Sequence, residues 1–237
     1  MNVDQIGRLM ETALLIRDKV IRSAKEHQSS HVGSCLSCIE LMVYLYYYKM
    51  KEGDIFILSK GHAGLTQYCI LNDKGLITDA ELEDYPNKLG IHPEINKEKG
   101  IWASTGSLGH GLAIGLGYAL VDRKRNVYVL MSDGELDEGS SYEALGLRGQ
   151  LGLENLVPIV DRNGFKGYDE VKRKANLPDG HNFEDIDDRF SLKTQYPLLE
   201  FRTIKGKGLE RFENKLGGHY WSINDYDYEQ YKKNLFQ

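Results

Sequence analysis

The chain has 237 residues, 41% of them hydrophobic, and a formal net charge of −5 at pH 7. That length makes one large domain or two small ones, with enough buried surface to fold without disulfide staples. The negative balance argues against a dedicated binder of nucleic acid or of an anionic membrane. Its 3 cysteines, an odd number, do not form a disulfide framework. The apolar runs fall short of the ~20 residues a membrane-spanning helix needs, and the opening stretch carries charges throughout, unlike a secretory signal. A reducing cytoplasm is the expected compartment.

Residues 4–28 set Ile6, Leu9, Met10, Ala13, Leu14, Ile16, Val20 and Ile21 at helical spacing and predict an amphipathic helix. A Ser-Ser-His-Val-Gly-Ser turn carrying His31 follows, then a second helix over 35–50, rich in Leu and Tyr. Cys35-x-x-Cys38 lies in that helix. A structural zinc needs four ligands and there is no second cysteine pair, so the thiols read as small core hydrophobes. A short strand over 54–58 runs into Ser-Lys-Gly-His62, and residues 63–71 return as a helix. Thr78 and Glu81 form a capping box that starts a short helix over 78–85. A loop over 86–102 carries His92-Pro93-Glu94. The Gly-rich stretch 105–111 then opens a small-residue helix reaching about residue 122; free amides at such a start favour an anion. Gly115 and Gly117 inside that helix cost stability and point to close packing.

The centre of the chain is Val127 to Phe165. An apolar run over 127–131 has the length and β-rich composition of a buried strand and ends in Ser132-Asp133-Gly134. A helix from about 137 to 151, a Gly-Leu-Glu-Asn turn and a second buried strand over 156–160 follow, ending in Asp161-Arg162-Asn163-Gly164. In a parallel sheet both strand ends face the crevice where open α/β sheets bind ligands. A carboxylate, an amide oxygen and a nearby backbone carbonyl make a set of hard oxygens suited to Mg²⁺, which completes its shell with phosphate and water. Asp-Gly and Asn-Gly are also ordinary turn dipeptides; it is the pair, with strand–helix–strand between, that singles out this stretch. Beyond Asn163 the pattern weakens: residues 166–188 are polar and contain Asp179-Gly180-His181. A last strand over 198–204 meets Lys-Gly-Lys-Gly, a Gly-Gly-His219-Tyr-Trp turn follows, and residues 225–235 predict a terminal helix. Strands alternating with helices predict one α/β domain over 1–237, a doubly wound, mostly parallel sheet with helices on both faces.

Four of the seven histidines, His31, His62, His92 and His219, sit in Gly/Ser/Pro turns rather than on apolar helix faces. Clustered imidazoles hydrogen-bond phosphate and sugar hydroxyls near neutral pH. Glu138 and Glu143 follow Asp133 at a spacing of five, which does not make them neighbours on a helix face; by themselves they read as surface acids.

Taken in order, SSHVGS, LSKGH, IHPE, TGSLGHG, SDGELDEGSSYEA, the Asn163 turn, TIKGKG and the late His219 resemble the N-terminal half of the transketolase family over nearly the whole chain. The resemblance implies bound thiamine diphosphate and Mg²⁺, the metal held by Asp133, Asn163 and the carbonyl of Phe165. It implies backbone contacts to the cofactor at Gly106 and Gly134, and Leu108 against its aminopyrimidine. His62 and His219 match residues near the diphosphate. His31 and His92 match histidines that hold substrate oxygens and assist proton transfer, and Glu138 and Glu143 match acids of a proton relay between paired sites. Ser132 stands where the family motif has a glycine, the region 166–190 is shorter than usual, and Tyr220 replaces the glycine after the last histidine. The family's later domains, one of which supplies the glutamate that activates the cofactor, are not in the sequence. The resemblance therefore implies one half of a split enzyme. It would work with a separate C-terminal chain carrying the pyrimidine-binding domain, as a heterotetramer with two copies of each, and transfer a two-carbon ketol unit between sugar phosphates. Another thiamine diphosphate chemistry (deoxyxylulose-phosphate synthase-like or 2-oxo acid-using) and a catalytically silent binding subunit are the alternatives.

Overall fold

The computed structural model describes residues 1–171, 176–192 and 198–235. The first helix, α1 (Val3–Glu26), starts at a reciprocal cap: Asn2 Oδ1 accepts from Gln5 N–H at 2.9 Å and Gln5 Oε1 from Asn2 N–H at 2.8 Å. It buries Leu9, Ala13, Ile16, Val20 and Ile21. The single helix expected over 35–50 is broken. It runs as α2 (Val32–Ser37), then α3 (Ile39–Tyr44), and ends in a π-helical turn, Leu45–Lys49. The break falls at Cys38. Cys38 Sγ donates to Ser34 O at 3.4 Å and Ser37 Oγ lies 3.1 Å from the same carbonyl, and side chains that crowd a preceding carbonyl compete with the helical ladder.

Among the described residues four strands follow: β1 (Ile55–Leu58), β2 (Val127–Ser132), β3 (Leu156–Arg162) and β4 (Leu199–Arg202). They pair in parallel in the order β1-β2-β3-β4. Every residue of β1, β2 and β3 is buried, as expected where helices cover both faces. On one face Phe56, Leu58, Tyr128, Leu130, Val157 and Ile159 join a core with α1, α3, α4 (Gly64–Asp73) and α8 (Phe183–Ser191). On the other, Ile55, Ile57, Val127, Val129 and Met131 pack with Leu112 and Ala119 of α6 (His110–Val121) and Ala144 of α7 (Gly139–Gln150). The expected α/β architecture, a parallel sheet with helices on both faces, is the one the chain adopts.

The short α5 (Asp79–Glu83) has the capping box read from Thr78 and Glu81, and α9 (Asp225–Leu235) closes the described chain. The reading of 166–188 as polar, with a weakened pattern, overlooked α8. Asn182 Oδ1 caps its first turn, and Phe183, Ile186 and Phe190 bury one face despite the many acids between them. Residues 172–175 of that stretch lie outside the described residues. Gly115 does meet the sheet, where an added Cβ would lie 2.6 Å from Val129; Gly117 touches nothing and its expected tight packing is not made within this chain.

Candidate active site at the strand ends

Ser132 and Asp161 are Cα partners in the β2–β3 ladder, so Asp133 and Asn163 leave neighbouring strand ends toward the same crevice. Asp133 is buried. Its Oδ2 accepts from Gly164 N–H at 2.6 Å and its Oδ1 from Arg162 Nη1 at 3.2 Å. Arg162 is held in turn by Glu200, whose Oε2 lies 2.7 Å from Nε. Burial pushes the Asp133 carboxyl above its usual value, against the opposing Gly164 amide and Arg162 guanidinium. Asn163 Oδ1 accepts from Phe165 N–H at 3.1 Å, which closes the turn. Among the described residues no three His, Cys, Asp or Glu side chains are grouped to hold a metal; the hard donors here come from one carboxylate, one amide and the backbone.

A cavity of ≈ 330 Å³ opens at these strand ends, in the range of small-molecule sites. His31, His62, His92 and His219 all line it. His31 is central: its ring centroid lies 4.7 Å from that of His219, 5.8 Å from His62 and 6.2 Å from His92. It starts α2 in the left-handed region, φ 64°, an uncommon conformation for a non-glycine residue and one recurrent at functional sites. Ser30 Oγ lies 2.7 Å from His31 Nδ1, and His31 N–H donates to His219 O at 2.9 Å, so the two histidine turns are tied together. Burial, with His92 and Lys205 nearby, lowers the His31 value. Burial and Lys60 hold His62 well below its ordinary value, and burial with Lys205 pushes His219 down to about 3. These rings are kept neutral. His219 Nδ1 and Thr105 Oγ1 are buried with no hydrogen-bond partner, and an anionic or hydroxyl-rich ligand would satisfy such groups.

Gly106, Leu108 and Gly134 also line the cavity. Gly106 has φ 135° and lies so close to His92 that an added Cβ would be 3.1 Å from the ring. Glu138 lines the cavity from a position just before α7, in extended backbone, rather than on the helix as the expected start at 137 implied. Glu143 is exposed on α7 and is not part of the cavity wall. Tyr220 stands at the mouth, its ring 4.7 Å from that of His219.

Three groups beneath the cavity escaped the sequence reading. Glu135 is fully buried and gathers Ser132 N–H at 2.8 Å, Gly109 N–H at 3.1 Å and the Ser59 hydroxyl. It thereby ties the ends of β1 and β2 to the start of α6. One amide at the head of α6, expected to be free for an anion, is therefore already taken by the chain's own carboxylate. The signal was present as a second capping box, Ser132-x-x-Glu135. Lys60 and Asp161 form a buried ion pair, with Ser37 Oγ donating to Asp161 at 2.5 Å and Thr203 donating to its other oxygen. Burial alone would lower the Lys60 ammonium, but Asp161 outweighs it and holds it above its usual value. The Lys205 ammonium, by contrast, has no hydrogen bond or ion pair among the described residues; only the backbone carbonyl of Lys205 is engaged, by Asn214 N–H at 2.9 Å. The residue is 1% exposed, its Nζ 5.3 Å from the centre of the Phe165 ring, and burial with Lys60 nearby lowers it to about 8. A buried, unpaired cation beside a cavity is a functional signal.

A family model described as the transketolase thiamine diphosphate binding domain matches residues 10–191. An apulose-4-phosphate transketolase subunit of Actinobacillus succinogenes is 38% identical over 172 residues, 65% of this chain and 62% of that protein. The protein of the same name from Phocaeicola vulgatus is 32% identical over 251 residues, 90% of this chain and 89% of the relative. The crystal structure of transketolase from Campylobacter jejuni subsp. jejuni superposes with a TM-score of 0.83 over 100% of this chain and 43% of that one, at 24% identity, a likeness of fold. With the strand-end Asp133 and Asn163, the histidine cluster and a family match over most of its length, the chain belongs to the thiamine diphosphate-binding domain family of the transketolases.

Proposed function

We propose that this chain is the diphosphate-binding subunit of a two-chain, thiamine diphosphate- and Mg²⁺-dependent enzyme that transfers a two-carbon ketol unit from a ketose phosphate to an aldose. The observation that carries the reading is the meeting of four turn histidines and Asn163 around one cavity, with the buried Asp133 on the neighbouring strand end. The residues fit the cofactor. Asp133, Asn163 Oδ1 and the Phe165 carbonyl are the hard oxygens Mg²⁺ takes, and the carboxylate oxygens keep lone pairs beyond those used by Gly164 and Arg162. Lys205 offers an unpaired cation, and His62, His219, Gly106 and Gly134 border the space for a diphosphate. Leu108 offers an apolar contact there.

When bound, thiamine diphosphate supplies the carbon nucleophile that breaks the ketose C–C bond. This chain's part is to hold, orient and move protons. His31, half-buried and with its pKa lowered, accepts a proton from a donor hydroxyl or hydrogen-bonds it, with Ser30 fixing its ring; His92 faces the same substrate from the opposite loop. Glu138 at the wall is the nearer acid for a proton relay, and Glu143 enters such a relay only through another chain. The mouth itself bears acids and Lys166, which is already paired with Asp137. The substrate phosphate is therefore gripped by the partner.

The split arrangement is supported by relatives that are themselves named as single subunits of a transketolase and that this chain matches over most of their length. The partner is a C-terminal chain with the pyrimidine-binding domain. A bare face fits an assembly of two copies of each: α6 and α7 expose Ile114, Leu120, Val121, Tyr142 and Leu147 beside Gly117 and Gly146, where an added Cβ meets nothing. The whole chain acts as one domain, and its three buried free thiols suit a cytoplasmic setting. The test is calorimetric titration of Mg²⁺ and thiamine diphosphate into the reconstituted pair. Asp133→Ala is expected to abolish detectable binding; wild-type affinity in that variant sinks the assignment.

A further inference from the structure

The Asp179-Gly180-His181 motif is absent from the cavity wall, yet it is tied to the segment that delivers Lys205. An added Cβ on Gly180 would lie 2.7 Å from Thr203, so the motif lies flat against the end of β4, and Gly180 N–H donates to Arg202 O at 2.8 Å. This contact brings His181 under the turn 204–208. Ile204 N–H donates to His181 Nε2 at 2.7 Å, so the ring carries its proton on Nδ1, which donates to Glu40 Oε2 at 3.0 Å. The other Glu40 oxygen binds Arg17 Nη2 at 2.7 Å and Lys207 Nζ at 2.8 Å. Arg17 Nη1 closes the loop by donating to the carbonyl of Lys207 at 2.6 Å. The His181, Glu40 and Arg17 side chains are all at least nine-tenths buried. Lys205 is thus flanked on one side by an amide fixed to His181 and on the other by a residue fixed to Glu40 and Arg17.

We propose that His181 is a positioning residue for the diphosphate site. Through Glu40 and Arg17 it clamps the turn 204–208 so that the buried Lys205 side chain stays aimed beside Phe165 at the strand ends. The physical reason is the flexibility of what it holds. Gly206 and Gly208 both have positive φ, 74° and 95°, and a four-carbon side chain on a glycine-flanked turn has no fixed direction unless the backbone on each side is held. Arg17 fills the space beside Gly208, where an added Cβ would lie 3.0 Å from its Cδ. His181 never touches the ligand, and its role is passed on through the backbone at Ile204.

The inference rests on the reading that Lys205 faces a diphosphate, and the experiment separates the two. Inorganic diphosphate with Mg²⁺ is titrated into the full chain, and amide exchange over 204–208 is followed by mass spectrometry. Lys205→Ala should lose binding. His181→Leu should weaken binding about tenfold, the worth of one or two buried hydrogen bonds, and speed exchange over 204–208 while β2 and β3 exchange as before. His181→Gln, which can still accept from Ile204 N–H, should recover most of both. Glu40→Gln is the second variant if His181→Leu does not fold, and should speed exchange over the same segment. A folded His181→Leu protein with wild-type affinity and wild-type exchange overturns the positioning role. Wild-type binding by Lys205→Ala overturns the diphosphate reading and the inference with it.

Discussion

At the scale of single residues, the histidines divide by what surrounds them. His62 and His219 are half-buried and held below their ordinary values by burial, with Lys60 beside the first and Lys205 beside the second. His31 is tied to Ser30 and to the His219 turn, and His92 is exposed on the opposite loop. Their ring centroids lie 6.2 Å apart, edge to face, on the cavity wall. His31→Ala and His92→Ala should each lower turnover of the reconstituted enzyme roughly 10²–10⁴-fold, with little change in cofactor affinity. Steady-state rates and calorimetry on the same preparations check this; full activity in both variants reduces the pair to loop residues.

At the scale of elements, the site depends on a joint that binds no ligand. Glu135 gathers the end of β1, the end of β2 and the start of α6 through hydrogen bonds to Ser59, Ser132 and Gly109. Burial raises its carboxyl above the usual value, which these donors oppose. Removing the carboxylate leaves several buried donors unpaired, each costing about 1–3 kcal/mol. Glu135→Ala should therefore destabilise the protein by about 3 kcal/mol or more, read from denaturant midpoints at unchanged slope, and Glu135→Gln by less. A loss under 1 kcal/mol in the alanine variant means that the joint is held elsewhere. The helix over 35–50 teaches the same lesson from the other side. Of its leucines and tyrosines, Met42 to Leu45 are core, and only the π-turn tyrosines approach solvent.

At the scale of the molecule, the histidines whose values are depressed make stability depend on pH in a definite direction. A histidine whose folded value is depressed takes up a proton on unfolding, so its contribution is complete above the unfolded value of 6.5 and is lost as pH falls below it. For His219 the loss extends down to about 3. Asp133 and Glu135, raised by burial, act in the opposite sense. Folding free energy measured by denaturant titration should fall between pH 7 and pH 5, and His62→Gln, which cannot titrate, should show a shallower fall. Equal slopes in the two proteins would remove His62 from the account. The bare α6/α7 face is the other whole-molecule property. Two mid-helix glycines there cost about 1 kcal/mol each and pack against nothing in this chain. Leu147→Glu should weaken assembly with a second chain, read by sedimentation velocity, without changing the stability of the isolated protein. Unchanged sedimentation of the assembled variant rules this face out.

Order of elements, parallel strands buried on both faces, the Asp133 and Asn163 strand ends and the histidine turns were legible in the sequence. Each is a local matter: apolar runs of strand length, glycine-rich turns, capping boxes and short motifs in a familiar order. α8 was hidden because its three apolar residues are diluted by acids, and the break at Cys38 because a thiol and a hydroxyl crowding one carbonyl leave no mark on periodicity. Tertiary structure alone decided which polar groups share a cavity. Lys60 could have faced the ligand as readily as Lys205 from its motif; a buried Asp161 claims the first and leaves the second unpaired. The family resemblance likewise grouped Glu138 with Glu143, whereas the turn before α7 puts one at the wall and the other in solvent. Pairing of buried charges depends on distances between segments more than a hundred residues apart, and that information exists only once the chain has closed on itself.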